Sequence, residues 1–386
     1  MTPRERLKTC LAGKLPDCVP VAPDFSNMIP ARLTGKPFWD LYLYNDPPIH
    51  EAYIAAAKYF DIDSLMDGYF RVSFPEDRRV EPWLKMPDGP WEQFIVHRAG
   101  DRIVTQLSCV ESGKRTWWPK VTVYYRDNPP THDVHPESIG LPPVPALWEP
   151  VEGAKPVDHS PEGLKRVKQL MGDQGLVGLF VVGTGPFDRV EHVYYLYDHI
   201  DMIDQWAAER TEEAEKRFRR IMALPEDYRP DFLCVGGSGT LVFQTPEIFR
   251  RLSFPAVKRV IELATAAGMP THIHSCGPEK LLVKIMAEET SLTVIDPLEM
   301  PPMGDCDLAE LKRLYGDRIV LKGNLHTTDV MLRGTPDNVR AAARKAIDDA
   351  GAGGRFILST GDQCGRDTPD ENLRAMVETA RTYGKY

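Results

Sequence analysis

From Pro161 onward, apolar residues fall into two patterns that alternate along the chain. Short continuous apolar runs, Gly175–Val182, Phe232–Gly236, Leu292–Ile295, Ile319–Lys322 and Phe356–Ser359, read as buried strands, and the Pro-bounded, alternating Thr271–Ser275 as another strand. Between them, apolar residues return at helical spacing over 162–171, 201–224, 245–268, 279–289, 308–315, 338–350 and 369–383, with Pro255 dividing the 245–268 stretch into two helices. Buried strands alternating with helices predict a parallel sheet covered on both faces.

The first part of the chain is less regular. Thr2-Pro-Arg-Glu5 is a capping box that opens a helix to about Ala12; Cys18–Ala22 is an apolar strand; 47–60 has helical spacing. From 61 to 127 the texture shifts to alternating and aromatic runs, such as Arg102–Ser108 and Lys120–Tyr125, which read as hairpins. Residues 128–161 hold nine prolines and little periodicity, which predicts a long covering loop. Counting the strand near Cys18, the strands approach eight. The expectation is an α/β fold, a closed (β/α)8 TIM barrel forming a single domain over 1–386 with about 61–160 as an inserted hairpin and Pro-rich loop region; an open doubly wound sheet is the second choice.

Composition narrows the function classes. A formal charge of −9 and the lack of any basic run argue against nucleic acid and anionic membrane surfaces. No stretch approaches the apolar length of a spanning helix, and the first residues lack the apolar core of a signal peptide, so a cytoplasmic protein is expected. Seven scattered cysteines do not form a disulfide framework.

One stretch concentrates candidate chemistry. In Met269-Pro-Thr-His-Ile-His-Ser-Cys-Gly277, strand alternation places His272, His274 and Cys276 on one face, just where a strand gives way to a helix. That edge is where α/β proteins build active sites. A catalytic zinc takes three protein ligands and an open position, so a His-x-Cys pair lacks one. Cys364, in Ser359-Thr-Gly-Asp-Gln-Cys-Gly365, also follows a strand and is the candidate third ligand; Asp362 is an alternative, and Glu299 and Cys306 are weaker ones. A buried histidine beside an inert thiol would give the same pattern. Gly236-Gly-Ser-Gly239 reads as a tight turn rather than a phosphate cradle, the tyrosines of 194–197 as helix packing, and His192, His199 and His326 as structural or surface residues.

Several further segments carry a family likeness. Leu298–Lys312, Gly323-Asn-Leu325, Gly334-Thr-Pro336, Ile357-Leu-Ser-Thr-Gly361 and Asp367–Asn372, with Arg4-Glu-Arg-Leu7 and Leu15–Pro20 at the start, resemble the uroporphyrinogen decarboxylase superfamily. The resemblance implies a (β/α)8 barrel and two branches, metal-free tetrapyrrole decarboxylases and zinc-dependent methyltransferases that work with a corrinoid. The decarboxylase branch uses an arginine-rich early segment to bind substrate carboxylates; here 23–32 offers Arg32 alone. The methyltransferase pattern of His-x-Cys and a later Cys maps onto His274, Cys276 and Cys364, with Asp362 and Gln363 intervening where that family has Gly directly before Cys. The resemblance therefore implies a zinc methyltransferase acting on a small methylated substrate, with some inclination to methoxylated aromatics. Its cobalamin would come on a separate corrinoid protein, since no Asp-x-His-x-x-Gly signature is present. The alternatives are a tetrapyrrole-type decarboxylase with Asp24 and Arg32 facing the cleft, and a non-catalytic barrel with a structural zinc.

Overall fold

Seven parallel strands, Ser64–Met66, Gly175–Val182, Phe232–Val235, Thr271–His274, Val294–Asp296, Val320–Leu325 and Phe356–Thr360, lie side by side in chain order. The computed structural model from which this is read describes residues 1–77, 90–185 and 190–386. All but the first strand were legible in the sequence, five as apolar runs and Thr271–His274 as an alternating one. The expected strand near Cys18 completes the set in an irregular form. Val21 bridges Leu358 in parallel, Ala22 N donates to Leu358 O at 2.9 Å, Leu358 N donates to Pro20 O at 2.8 Å, and Asp63 N donates to Val21 O at 2.8 Å. The 18–22 segment thus joins the last strand to the first, and the sheet closes as an eight-staved α/β barrel. Pro20 has no N–H to give to a ladder, which is why this stave makes isolated bridges instead of a regular strand.

The floor of the barrel is apolar. Ala22, Leu65, Leu176, Phe232, Val294, Val320 and Ile357 come from seven staves and form one cluster with Leu7, Cys10 and Leu11 of the N-terminal helix, Pro3–Leu11, against which Cys234 packs from the layer above. His272, on the remaining stave, meets the Phe232 ring edge-on with centroids 5.9 Å apart. The helix plugs the bottom through the face set by its Thr2–Glu5 capping box.

Two compact units are distinguishable: Met1–Asp24, Ala57–Leu84 and Asp158–Tyr386 make the barrel unit, Phe25–Ala56 and Lys85–Val157 the other. The second contains a five-stranded antiparallel sheet, Thr131–Val134, Lys114–Tyr125, Arg102–Glu111, Glu92–Arg98 and Glu149–Pro150 in spatial order. Residues 78–89, within the expected insertion, lie outside the described residues. The Pro-rich stretch was expected to be loop; it supplies both edge strands of this sheet and a 3-10 turn, Pro136–Ile139. Short edge strands beside prolines carry almost no periodic signal, and proline suits edges because it cannot donate. Pro255 falls in the first turn of Phe254–Ala266, after a π-helical turn over Phe249–Ser253, so the break it marks is a change of helix type. Among the described residues, no helix is long and apolar enough to cross a membrane.

Closure is tied by Asp63, which is fully buried. Its carboxylate accepts from Val21 N at 2.7 Å, Arg6 Nη1 at 2.6 Å and Arg381 Nη1 at 2.7 Å, joining the irregular stave to the first and last helices. Replacing Asp63 by Asn keeps an acceptor for Val21 and leaves Arg6 its ion pair with Asp17, but removes the carboxylate that Arg6 and Arg381 share and with it the counter-charge of Arg381. We expect Asp63→Asn to lower unfolding stability by about 3 kcal/mol, read from denaturant midpoints at unchanged m; a loss below about 1 kcal/mol would mean that Asp63 does not hold the closure.

Candidate metal centre

Side chains two residues apart on a strand face the same side, so the next interior layer above the floor follows directly from it. Two residues past Ala22, Leu65, Phe232, Val294 and Val320 stand Asp24, Asp67, Cys234, Asp296 and Lys322, and two past His272 stands His274. The apolar floor therefore gives way to a polar layer at the C-terminal mouth, the end where barrel enzymes place their chemistry.

Asp296 is the centre of this layer. It is buried, and its strand register sets it directly opposite His274. Its Oδ1 lies 2.8 Å from His272 Nε2 and 3.3 Å from His274 Nδ1, and its Oδ2 receives Lys322 Nζ. Burial alone would raise the Asp296 pKa; Lys322, His272 and His274 outweigh it and hold the carboxyl well below the usual range. Burial likewise works against charge on Lys322, and Asp296, Asp67 and Asp24 overcome it, keeping the ammonium charged. For His274 the same contest, burial against Asp296, Cys276 and Asp24, ends with the imidazole well above its ordinary value.

The outcome at His274 is a defined orientation. With Nδ1 toward Asp296, Nε2 points to Asp362 Oδ1 at 3.6 Å, and single donor atoms of Asp24, His274 and Asp362 all lie within 4.8 Å of one another. A carboxylate holding one imidazole nitrogen while the other faces anionic donors is the arrangement by which proteins orient a metal-binding histidine. Asp362 reaches this position with φ at 95°, a left-handed conformation unfavourable for a residue with a Cβ, and such outliers concentrate at functional sites.

The residues expected from sequence divide accordingly. His274 and Asp362 come together. Cys276 hydrogen-bonds the His274 side chain and is partly accessible. Cys364 is fully buried; its N donates to Asp24 O at 2.9 Å, its thiol engages Thr360 and Thr368, and burial pushes it up to about 12. The set Asp24, His274 and Asp362 does not include either thiol. Glu299 receives Gly277 N and so steadies the turn after Cys276, while Cys306 is buried beneath it with its N bonded to Glu299 O at 3.0 Å. Gly236, at φ 94°, packs where a Cβ would come 2.3 Å from Ile273, and Thr240 N donates to Ser275 Oγ at 3.1 Å, so the glycine run is a close-packed turn against the His-x-Cys strand. His326 accepts from Thr328 N and Asp329 N and caps a helix.

Sequence reading missed Asp296, Lys322, Asp67 and Cys234 and gave Asp24 only a substrate-facing role. A signal existed for the first two: each is a charged residue within or closing an apolar run, and a charge carried into a barrel interior needs a partner there.

A parallel barrel whose mouth gathers imidazole, carboxylate and thiol donors defines an α/β-barrel protein with a site suited to a divalent metal. Residues 230–383 match the family model described as uroporphyrinogen decarboxylase (URO-D), which agrees with the likeness carried by the C-terminal motifs. Among curated relatives, methylcobamide:CoM methyltransferase MtbA of Methanosarcina mazei is 27% identical over 139 residues, 36% of this chain and 37% of its own length. Uroporphyrinogen decarboxylase of Thioalkalivibrio sulfidiphilus is 27% identical over 162 residues, 39% of this chain and 44% of its own. The aligned stretch thus spans less than half the length of either relative, and both branches of the superfamily are represented. A solved structure described as a methyltransferase from Methanosarcina mazei has a TM-score of 0.56 over 99% of both chains at 17% identity, a shared fold.

The orienting role of Asp296 can be tested without stranding the buried ammonium. In a Lys322→Met background, adding Asp296→Asn should weaken zinc binding ten- to a hundredfold in competitive chelator titrations, the usual range for losing such a carboxylate. Equal affinities in the single and double variants would remove Asp296 from that role.

Proposed function

We propose that this chain is a zinc-dependent methyltransferase that moves a methyl group between a small methylated substrate, in our reading a methoxylated aromatic, and a corrinoid carried on a separate protein. The observation that carries the reading is His274, its Nδ1 held by buried Asp296 and its Nε2 turned toward Asp362, with Asp24 in the same cluster of donor atoms at the barrel mouth. Imidazole, thiol and carboxylate are the donor types zinc takes in catalytic sites, and the residues present fit it. The similarity to a methylcobamide:CoM methyltransferase supports the same reaction class.

His274 and Cys276 supply two ligands in this reading. For the third we place Asp362 ahead of Cys364: its carboxylate already lies 3.6 Å from His274 Nε2, whereas the Cys364 thiol would have to leave Thr360 and Thr368 and lose a proton held near 12. Zinc held there would serve as a Lewis acid on the leaving heteroatom of the substrate, or keep an acceptor thiol as thiolate. His274 must shed a proton to ligate, and Asp296 then fixes the remaining one on Nδ1. Lys322 neutralises Asp296.

The decarboxylase relatives prompt a second reading, but the mouth is poorly matched to a polycarboxylate substrate. Asp24, Asp67, Asp296 and Asp362 converge there, and Lys322, the cation among them, is engaged by Asp296. Arg32 lies on the helix Met28–Leu33 of the other unit.

Two experiments follow. Mixed with a cognate corrinoid protein in its reduced state and a methyl aryl ether, the enzyme should convert the corrinoid spectrum to the methylated form; release of CO2 from uroporphyrinogen, with no spectral change for any methyl donor, would sink the proposal. Asp362→Asn should lose one metal equivalent, while Cys364→Ser should keep it within about tenfold of wild-type affinity. The reverse pattern would restore Cys364 as the third ligand.

A further inference from the structure

We propose that Asp67, Cys234 and His272 form a second divalent-cation site, for a borderline-soft ion of the zinc class, on the barrel wall next to the His274 centre. The site goes beyond the methyltransferase reading and stands on separate residues. Single donor atoms of Asp67, Cys234 and His272 lie within 4.8 Å of one another, and the register pairs Cys234 with His272 on adjacent staves.

The imidazole of His272 carries the argument. The residue is 1% exposed, and Nε2 is engaged with Asp296 Oδ1 at 2.8 Å. Nδ1 is buried and makes no hydrogen bond among the described residues, although Asp67 Oδ2 lies 3.4 Å away. With Nε2 turned to Asp296, Nδ1 faces the Asp67 carboxylate in a site of low polarity at a distance longer than a good hydrogen bond, and the Cys234 sulfur is within reach of both. A cation held by the three donors would complete this arrangement. The spacing fits: with Zn–N and Zn–O bonds of about 2.1 Å, two ligands of a tetrahedral zinc stand about 3.4 Å apart, longer than a good hydrogen bond.

The chemistry of the donors selects the ion. One imidazole, one carboxylate and one thiol suit zinc or cobalt over magnesium or calcium, which take oxygen ligands. Asp67 is 30% exposed on its side chain, so the fourth position is on the side open to the mouth. Burial, with Asp67 and Asp296 nearby, holds the Cys234 thiol well above its ordinary value, as burial does for Cys364; unlike Cys364, its sulfur already lies within 4.8 Å of the other two donor atoms, and an ion bound there would displace the thiol proton and neutralise Asp67. Because Asp296 Oδ1 serves both His272 and His274, the two centres would share one orienting carboxylate.

The test loads the full-length chain, stripped of metal, with Co2+ and counts bound ions, following thiolate-to-cobalt charge-transfer absorption. About two equivalents are expected in the wild type and about one each in Cys276→Ala, Cys234→Ala and Asp67→Asn. The charge-transfer band should survive in Cys276→Ala and vanish in Cys276→Ala/Cys234→Ala. Asp67→Asn changes a partly exposed residue and keeps the test decisive should removal of the buried Cys234 thiol disturb folding. A single equivalent that disappears in Cys276→Ala, or a band in the Cys276→Ala background that ignores Cys234→Ala, overturns the proposal. A single equivalent kept in Cys276→Ala and lost in Cys234→Ala would instead remove the His274 centre and leave this one standing.

Discussion

The structure of the barrel mouth depends on one buried carboxylate. An ionised Asp296 without partners would be untenable in the interior, and it is retained because three neighbouring groups converge on it: Lys322 from the next stave on one side, and His272 and His274 from the next stave on the other. Each of those groups is in turn fixed by it. The two imidazoles lose their choice of orientation, one presenting Nε2 toward Asp362, the other leaving Nδ1 toward Asp67. The sheet register does the rest, since Asp296 faces His274 only if Val294 pairs with His272, and a slip of that strand by one residue would turn Asp296 out of the barrel, away from both imidazoles and Lys322.

Much of the fold was legible because its signals are local. Strands such as Gly175–Val182 and Phe356–Thr360 are continuous apolar runs, helices such as Leu308–Tyr315 and Pro336–Ala350 carry an apolar stripe and a cap, and their alternation implies the parallel barrel. The antiparallel sheet was legible only at Arg102–Glu111 and Lys114–Tyr125. Glu92–Arg98 carries charges at both ends, and the edge strands lie among prolines. The candidate centre follows the same division. His274, Cys276 and Asp362 could be named from motifs at strand ends, but Asp296 and Lys322 read as ordinary strand termini until register placed them beside His272 and His274. Asp24 and Asp67 sit just past staves of few residues, where no pattern marks the inward face. What the sequence withheld is the pairing of distant segments, and the polar layer consists of such pairings.

Charge balance in that layer links the geometry to the substrate. Asp24, Asp67, Asp296 and Asp362 bring four carboxylates to one end of the barrel, against one lysine and two imidazoles. With both imidazoles neutral, the layer carries an excess of negative charge in a partly desolvated setting, where like charges repel strongly. Protons can relieve it, and the elevated His274 pKa is one expression of that. Divalent cations relieve it more fully, because each cancels two charges while using the lone pairs that the buried imidazoles turn away from Asp296. The same imbalance works against an anionic substrate and favours a neutral one. A methyl ether would enter without adding to the negative charge, and its heteroatom would be the electron pair that a bound cation can still accept. On this view the carboxylates that make a polyanionic substrate unwelcome are also the ones that would draw a metal to the mouth in the proposed function, so both properties follow from placing acids two residues above an apolar floor.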